Sequence, residues 1–180
     1  MQFKDVIGHQ NIKEKLIHGV QKNKVSHAQL FLGDAGYGTL GLSVAYAQYV
    51  LCLEKKENDS CGTCSSCLKI NELQHPDLHF SFPTVQDDSK VSDSFLENWR
   101  EQIKKNSYFT LFDWTQVIDI KERQPIISVK ESAEIQRKLS LKSYEGGYKI
   151  MVIWMAYQKN SQCSDKNLKI LVEPPNKTIF

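Results

Sequence analysis

The sequence has no apolar run long enough to cross a membrane. The longest ones, such as Ile150 to Ala156, fall far short of the roughly 20 residues that a spanning helix needs. Residues 1–5 lead into a polar pattern and not into the apolar stretch of a secretory signal, so we expect a cytoplasmic protein without a membrane partner. The chain also lacks an excess of charge of one sign, since its formal net charge is only +2. This small net charge excludes nucleic-acid binding driven by the overall electrostatic field of the chain.

The length and composition of the chain fit one globular domain with a small insertion. The 180 residues can bury a core, and 41% hydrophobic with 24% charged residues is an ordinary globular composition. Apolar periodicity predicts helices over residues 9–23, 42–52, 92–103, 128–139 and 165–172, the fourth opened by a capping box, Ser128-x-x-Glu131. Strands are predicted over residues 28–32, 77–83, 149–154 and from 178 onward. This alternation predicts a three-layer α/β domain with a mainly parallel sheet.

A glycine-rich loop follows the first predicted strand and lacks two residues of a phosphate-binding loop. Residues 33–43 read GDAGYGTLGLS, and Gly33 and Gly38 have the spacing of G-x-x-x-x-G-K-[ST], with Gly36 between them. Thr39 stands in place of the lysine and Leu40 in place of the magnesium-binding hydroxyl. The context of strand, loop and helix favours a degenerate phosphate loop, while a plain glycine turn stays open as the alternative.

The acidic pair that would complete an ATPase site is absent as well. The strand expected to carry it, Ile150 to Ile153, continues into Trp154 and Met155 without an aspartate or glutamate. Because two separate parts of the site are missing together, we expect a domain that keeps the P-loop architecture without hydrolysis and without tight ATP binding by itself.

Cysteines are few, but four of the five are crowded into one segment. They are spaced C-x8-C-x2-C-x2-C, as Cys52, Cys61, Cys64 and Cys67. In a cytosolic chain this crowding favours a metal over disulfides, and four thiolates are typical of a closed, structural zinc site. An iron–sulfur cluster and a site without metal stay open as alternatives. His75 and His79 are not needed as ligands and are expected on the surface or in a strand, and Cys163 is expected to be a free thiol.

Together these features resemble the delta-prime subunits of bacterial DNA polymerase III clamp loaders, a family of AAA+ proteins, over nearly the whole chain. The cysteine spacing matches the zinc module, about residues 52–70, that clamp-loader AAA+ domains carry after the first helix of the fold. Segment 165–175 is similar to the signature N-x-L-L-K-x-L-E-E-P-P, with departures at Asp165, Asn167 and Val172. Further matching segments are residues 3–8, 26–33 and 75–77.

The resemblance implies a subunit that is not an enzyme by itself. Such subunits are stationary members of a ring that places the sliding clamp on primed DNA, beside a motor subunit and the delta subunit. Trp154 and Met155 would occupy the positions of the motor subunits' acidic pair. The resemblance further implies that residues 1–180 are an N-terminal AAA+ domain, and that a Ser-Arg-Cys motif and the lid and collar domains lie beyond Phe180.

Two other functions remain alternatives at this point. An active clamp-loader motor or related P-loop ATPase would be favoured by a lysine at position 39 and an acidic residue at 154 or 155, which this sequence lacks. The feature expected of a zinc-stabilised nucleic-acid binding module is a basic and aromatic stripe around the cysteines. The segment 54–59 instead mixes acidic residues with lysines.

Overall fold

The computed structural model describes residues 1–85, 91–119, 124–158 and 170–180. Its helices are α1 (Gln10–Gln21), α2 (Thr39–Leu51), α3 (Ser65–Asn71), α4 (Leu96–Lys105), α5 (Leu111–Val117) and α6 (Val129–Ser140). Its strands are β1 (Leu78–Ser81), β2 (Lys149–Ile153) and β3 (Thr178–Ile179), and 3-10 turns cover Phe3–Asp5, Ser92–Phe95 and Ala156–Gln158. In the described parts of the chain, no helix combines the length and the apolar character that a membrane crossing requires.

The three strands form a parallel sheet in the order β1-β2-β3, which confirms the predicted mixed α/β class with a parallel sheet. Successive residues of β2 point to opposite faces of the sheet. Ile150 packs into the main core with residues of α2, whereas Met151 packs against Ile135 and Leu139 of α6. Helices therefore cover both faces of the sheet.

The segment 28–32 does not form the buried strand that its apolar run predicts. It lies beside β3, because the Gln29 N–H donates to the Phe180 carbonyl (2.9 Å) and the Phe180 N–H donates to the His27 carbonyl (2.7 Å). Within the described residues, the backbone of residues 30–32 forms no hydrogen bond with another backbone group. Leu30 and Leu32 are 76% and 82% exposed, so this prediction was wrong about burial and about regular strand structure.

Two short helices were not predicted, and one predicted helix is described only in part. The cysteine-rich segment shows no helical period in the sequence, yet it ends in α3. Helix α5 begins after Thr110, whose hydroxyl accepts the Asp113 N–H (3.3 Å). Both helices have seven residues, too few to show a clear period. Of the predicted helix 165–172, residues 170–172 are helical, and the rest, like Cys163, lies outside the described residues.

An aromatic cluster holds the helices after β1 against the end of β2. Trp99 lies at its centre, fully buried, with its ring centroid 4.1 Å from that of Phe82, 5.1 Å from Trp114 and 5.3 Å from Trp154. Rings at these separations add attraction to the burial of a large apolar area. The cluster fixes the chain segment that follows α4, which reaches the glycine loop.

Glu131, in the first turn of α6, is a buried carboxyl group, and its pH dependence can be tested. Its Oε2 accepts the Ser92 N–H (2.8 Å), but burial raises its pKa above the ordinary 4.5. Because the folded pKa exceeds the unfolded one, the contribution of this group to stability is full below pH 4.5 and is lost as the pH rises. Glu131→Gln keeps an acceptor for Ser92, so at pH 8 it should raise the melting temperature by about 3 °C, equivalent to roughly 1 kcal/mol.

Thermal unfolding at pH 8 and at pH 4.5 checks this expectation. The gain should shrink at pH 4.5, and the matched change at an exposed position, Glu101→Gln, should leave the melting temperature nearly unchanged. Equal gains from Glu131→Gln at both pH values would contradict the assigned cost of the buried charge.

Candidate functional site

Four cysteine thiols converge where α2, α3 and the loop between them meet. Cys52 follows the last residue of α2, Cys61 lies in the loop, Cys64 precedes α3 and Cys67 lies in its first turn. All four Sγ atoms lie within 4.8 Å of one another, with 3.6 Å between Cys52 and Cys61 and 3.8 Å between Cys61 and Cys67. Among the described residues, this metal-ligand group contains no histidine.

These sulfur separations fit one tetrahedral ion. A zinc–sulfur bond of about 2.3 Å places the sulfurs of a regular tetrahedron about 3.8 Å apart. In an iron–sulfur cluster, by contrast, the cysteines are divided among two or more irons, and cysteines on different irons are held apart by the cluster between them. The geometry therefore favours a single ion over a cluster.

The surroundings of the thiols show why an ion would be needed. The Cys61 Sγ accepts the N–H groups of Thr63 (3.4 Å) and Cys64 (3.2 Å), and these bonds lower the pKa of Cys61 to about 6. Burial instead raises the pKa of Cys52 and of Cys67. Four thiolates can therefore coexist here only beside a cation that balances their charge.

The N-terminal segment anchors the loop of this site, a contact that the sequence pattern did not indicate. The Asp59 carboxylate accepts the N–H groups of Phe3 and Lys4, both at 3.1 Å, and the Gln2 side-chain amide donates to the Ser60 carbonyl (2.6 Å). These partners are more than 50 residues apart in the chain. No local spacing could have revealed the contact.

The glycine loop leads into α2, which begins at Thr39. Gly36 and Gly38 both have a φ of 83°, a left-handed conformation that side chains with a Cβ rarely adopt. Thr39 is partly buried, and its Cγ2 lies 3.0 Å from where a Cβ on Gly33 would stand. Leu40, at the position of the missing hydroxyl, is 4% exposed and belongs to the core. The side chain at position 40 thus faces the interior and not a magnesium ion.

Tyr108 packs against this loop, which gives the glycines a use that needs no nucleotide. The tyrosine ring would lie 2.7 Å from a Cβ on Gly38, and its hydroxyl accepts the Ile7 N–H (2.7 Å). On another part of the loop, the His9 Nε2 donates to the Tyr37 carbonyl (2.8 Å). The loop is thus held by contacts from two other segments, and no local sequence pattern indicates these contacts.

A cavity of about 300 Å³ lies beside the loop, between α1, residues 29–32 and the start of α2. Its lining is mainly aliphatic, with His9 and Thr39 among the polar contributions. Trp154, after β2, is buried 5.0 Å from the ring of Phe109, and Met155 follows with a φ of 54°. The segment that would supply an acidic pair therefore supplies an indole to the aromatic cluster.

His75 and His79, the histidines that follow the cysteines in the sequence, are not part of the thiol group. His79 is in β1, as expected for a strand residue. His75 is buried just before β1, where its Nδ1 accepts the Asp77 N–H (3.1 Å) and its Nε2 donates to Glu145 (3.1 Å). The expectation of a surface or strand position was therefore wrong for His75, which belongs to a buried polar network.

Comparison with known proteins places the chain among DNA polymerase III subunits. The family model described as "DNA polymerase III, delta subunit" matches residues 8–180. The chain is 30% identical over 94 residues to DNA polymerase III subunit delta' of Bacillus subtilis, covering 52% of this chain and 27% of that protein. It is 25% identical over 167 residues to subunit delta' of Escherichia coli, covering 93% and 39%.

A shorter similarity extends to another subunit type. Over 76 residues the chain is 32% identical to DNA polymerase III subunit tau/gamma of Haemophilus influenzae, covering 42% of this chain and 11% of that protein. In every one of these comparisons, the chain spans less than two-fifths of the length of the curated relative that it matches.

Proposed function

This chain belongs to the DNA polymerase III delta subunit family, and we propose that it acts as the delta-prime subunit of a bacterial clamp loader. In this role it helps to place the sliding clamp on primed DNA during replication in the cytoplasm. Its direct partners are a motor subunit and the delta subunit, and it meets the clamp and the DNA through the complex. The family match over residues 8–180 supports this proposal.

We further propose that the AAA+ domain of this subunit does not hydrolyse ATP. A phosphate loop uses its lysine to balance the β and γ phosphates and its hydroxyl to hold magnesium. Here Thr39 provides no charge, and Leu40 and Trp154 are core residues on two different segments. The observation that carries the proposal is the burial of both Leu40 and Trp154, because core packing leaves neither position for nucleotide chemistry.

The cysteine site is proposed to hold one structural zinc ion. When bound, zinc would supply the positive charge that allows four neighbouring thiolates. Cys52 would connect the end of α2 to Cys64 and Cys67 at the start of α3, with Cys61 from the loop as the fourth ligand. Since all four positions are protein sulfurs, the site has no place for a substrate, and its role is to stiffen the module.

The mechanism that follows is that of a scaffold. A domain with helices on both faces of its sheet and a zinc-held loop keeps a fixed shape while neighbouring subunits change theirs. Asp59 ties that loop to the N-terminal segment, so that the module and the α/β body are held together. The subunit would thus present a constant surface to the motor subunit.

Calorimetric titration with magnesium-ATP tests the loss of the nucleotide site. We expect the native protein to bind with a dissociation constant weaker than about 1 mM, and Thr39→Lys to bind roughly tenfold more tightly. The reason is that a lysine–phosphate hydrogen bond contributes about 1.5 to 3 kcal/mol. The control Gln116→Lys adds the same charge on the exposed surface of α5 and should bind no better than the native protein. Micromolar binding with phosphate release by the native protein would overturn the proposal and favour an active motor.

A further inference from the structure

A second cavity, of about 400 Å³, lies where β2 and β3 begin, beside the end of α6. The proposed clamp-loader role does not use it. Its lining includes Lys142, Lys149, Asn176 and Lys177, together with the glycine pair at 146 and 147. We call it the lysine cavity.

The buried member of the lysine cavity is Lys149, the first residue of β2. It is 5% exposed, and its ammonium group donates to the carbonyls of Leu139 and Leu141 at the end of α6. An ammonium group has three N–H donors, so one lacks an acceptor among the described residues. No carboxylate of the described chain forms an ion pair with Lys149. Burying a cation without a counter-ion is costly, and an anion in the cavity would offset that cost.

Nearby carboxylates are already engaged by other groups. Asp77 accepts the Ser143 hydroxyl (3.0 Å) and the N–H groups of Tyr144 (2.8 Å) and Glu145 (3.0 Å). Glu145 pairs with Lys69 and with His75. In contrast, Lys142 and Lys177 are exposed, and the only side-chain bond of Lys177 in the described chain is to the Gly146 carbonyl (3.4 Å). Asp77 attracts the Lys149 charge without forming an ion pair with it, and no described carboxylate pairs with Lys142 or Lys177, so the three lysines of the cavity have no ion-pair partner in the described chain.

Gly147 leaves the backbone open at the cavity. Its neighbour Gly146 has a φ of 74°, so the turn itself requires a glycine there. Gly147 lacks that conformation, and a Cβ built on it would meet no atom within 4 Å. Neither the turn nor packing within the described chain thus explains a glycine at 147. The missing side chain leaves room for a ligand to lie close to the backbone.

We propose that the lysine cavity binds a phosphate group, held by the Lys142, Lys149 and Lys177 ammonium groups above the bare backbone of Gly147. The phosphate could belong to the DNA backbone or to a free phosphate compound, since lysine recognises both by charge-assisted hydrogen bonds. This inference does not depend on the clamp-loader proposal. It concerns a different edge of the sheet from the glycine loop.

The first test uses inorganic pyrophosphate and the full-length protein in calorimetry at low salt. The double variant Lys142→Ala/Lys177→Ala should bind at least about tenfold more weakly than the native protein. The matched control Lys22→Ala/Lys24→Ala removes the same charge from exposed positions outside the cavity and should leave binding unchanged. Equal binding by native, double variant and control would overturn the proposal and leave Lys149 as a cap of α6 only.

A second variant separates binding from folding. Gly147→Val should keep the native melting temperature, because its Cβ would enter open space, yet should weaken pyrophosphate binding about fivefold or more by filling the approach to the backbone. Unchanged binding by a folded Gly147→Val protein would contradict the role given to that glycine. Native protein without detectable binding at about 10 mM pyrophosphate would overturn the proposal altogether.

A DNA-binding measurement identifies the source of the phosphate. Fluorescence anisotropy with a short primed duplex is repeated over a salt series for the native protein and for Lys142→Ala/Lys177→Ala. If the source is DNA, the slope of log K against log salt should fall by about one for each lysine removed. An unchanged slope together with lost pyrophosphate binding would assign the cavity to a free phosphate compound.

Discussion

Changing Cys64 and Cys67 together to serine is expected to abolish zinc binding and to lower the free energy of unfolding by about 4 kcal/mol. That value corresponds to an ion present at roughly a thousand times its dissociation constant. The two thiols come from the start of α3, while the other two ligands come from the end of α2 and the loop. Without the ion, the attraction that joins these segments is lost, and burial, which raises the pKa of Cys52, favours the neutral form of that thiol.

Elemental analysis and denaturant unfolding check this result. The native protein should carry one zinc per chain, and Ser65→Ala, a small change between the same two cysteines, should keep both the zinc and the stability. A native protein purified without zinc, or one that carries iron and sulfide, would contradict the assignment. The loop 53–61 also holds Asp59, so the double variant should loosen the contacts of Phe3 and Lys4 as well.

Helices and strands with a clear pattern of apolar residues along the sequence were predicted correctly. The four-residue repeat of apolar side chains predicted α1, and the continuous apolar run at 149–153 predicted the central strand β2. The capping box predicted at Ser128 was only half right. The Ser128 hydroxyl accepts the Glu131 N–H (3.3 Å), but the Glu131 carboxylate binds Ser92 and not the backbone of Ser128. A tertiary contact thus replaced the local one.

Features fixed by distant segments could not be predicted in the same way. The run at 28–32 is apolar enough for a buried strand, yet Leu30 and Leu32 are exposed because no described strand lies on their outer side. The cysteine spacing predicted convergence of the thiols, since it is a local signal, and the structure confirms that they converge. The contact of Tyr108 with Gly38 joins residues 70 positions apart, and only the packing of α4 and its following segment creates it.

The substitution Trp154→Asp, which would introduce one acidic group of an ATPase site, is expected to cost about 5 kcal/mol of stability. It removes a ring that packs 5.3 Å from Trp99 and 5.0 Å from Phe109, and it places a carboxylate where the native side chain is 6% exposed. Losing a buried indole costs about 3 to 5 kcal/mol, and an unpaired buried carboxylate adds to that loss unless it is protonated.

Denaturant unfolding of matched variants separates packing from charge. Trp154→Phe keeps an aromatic ring and should cost about 1 to 2 kcal/mol, while Met155→Glu, at the adjacent partly buried position, should cost less than about 1 kcal/mol. If Trp154→Asp were as stable as the native protein, position 154 would not be a core position, and the structural case against hydrolysis would fail. With the expected loss, an acidic residue at 154 conflicts with the aromatic core, so Thr39→Lys can improve phosphate binding without leading back to catalysis.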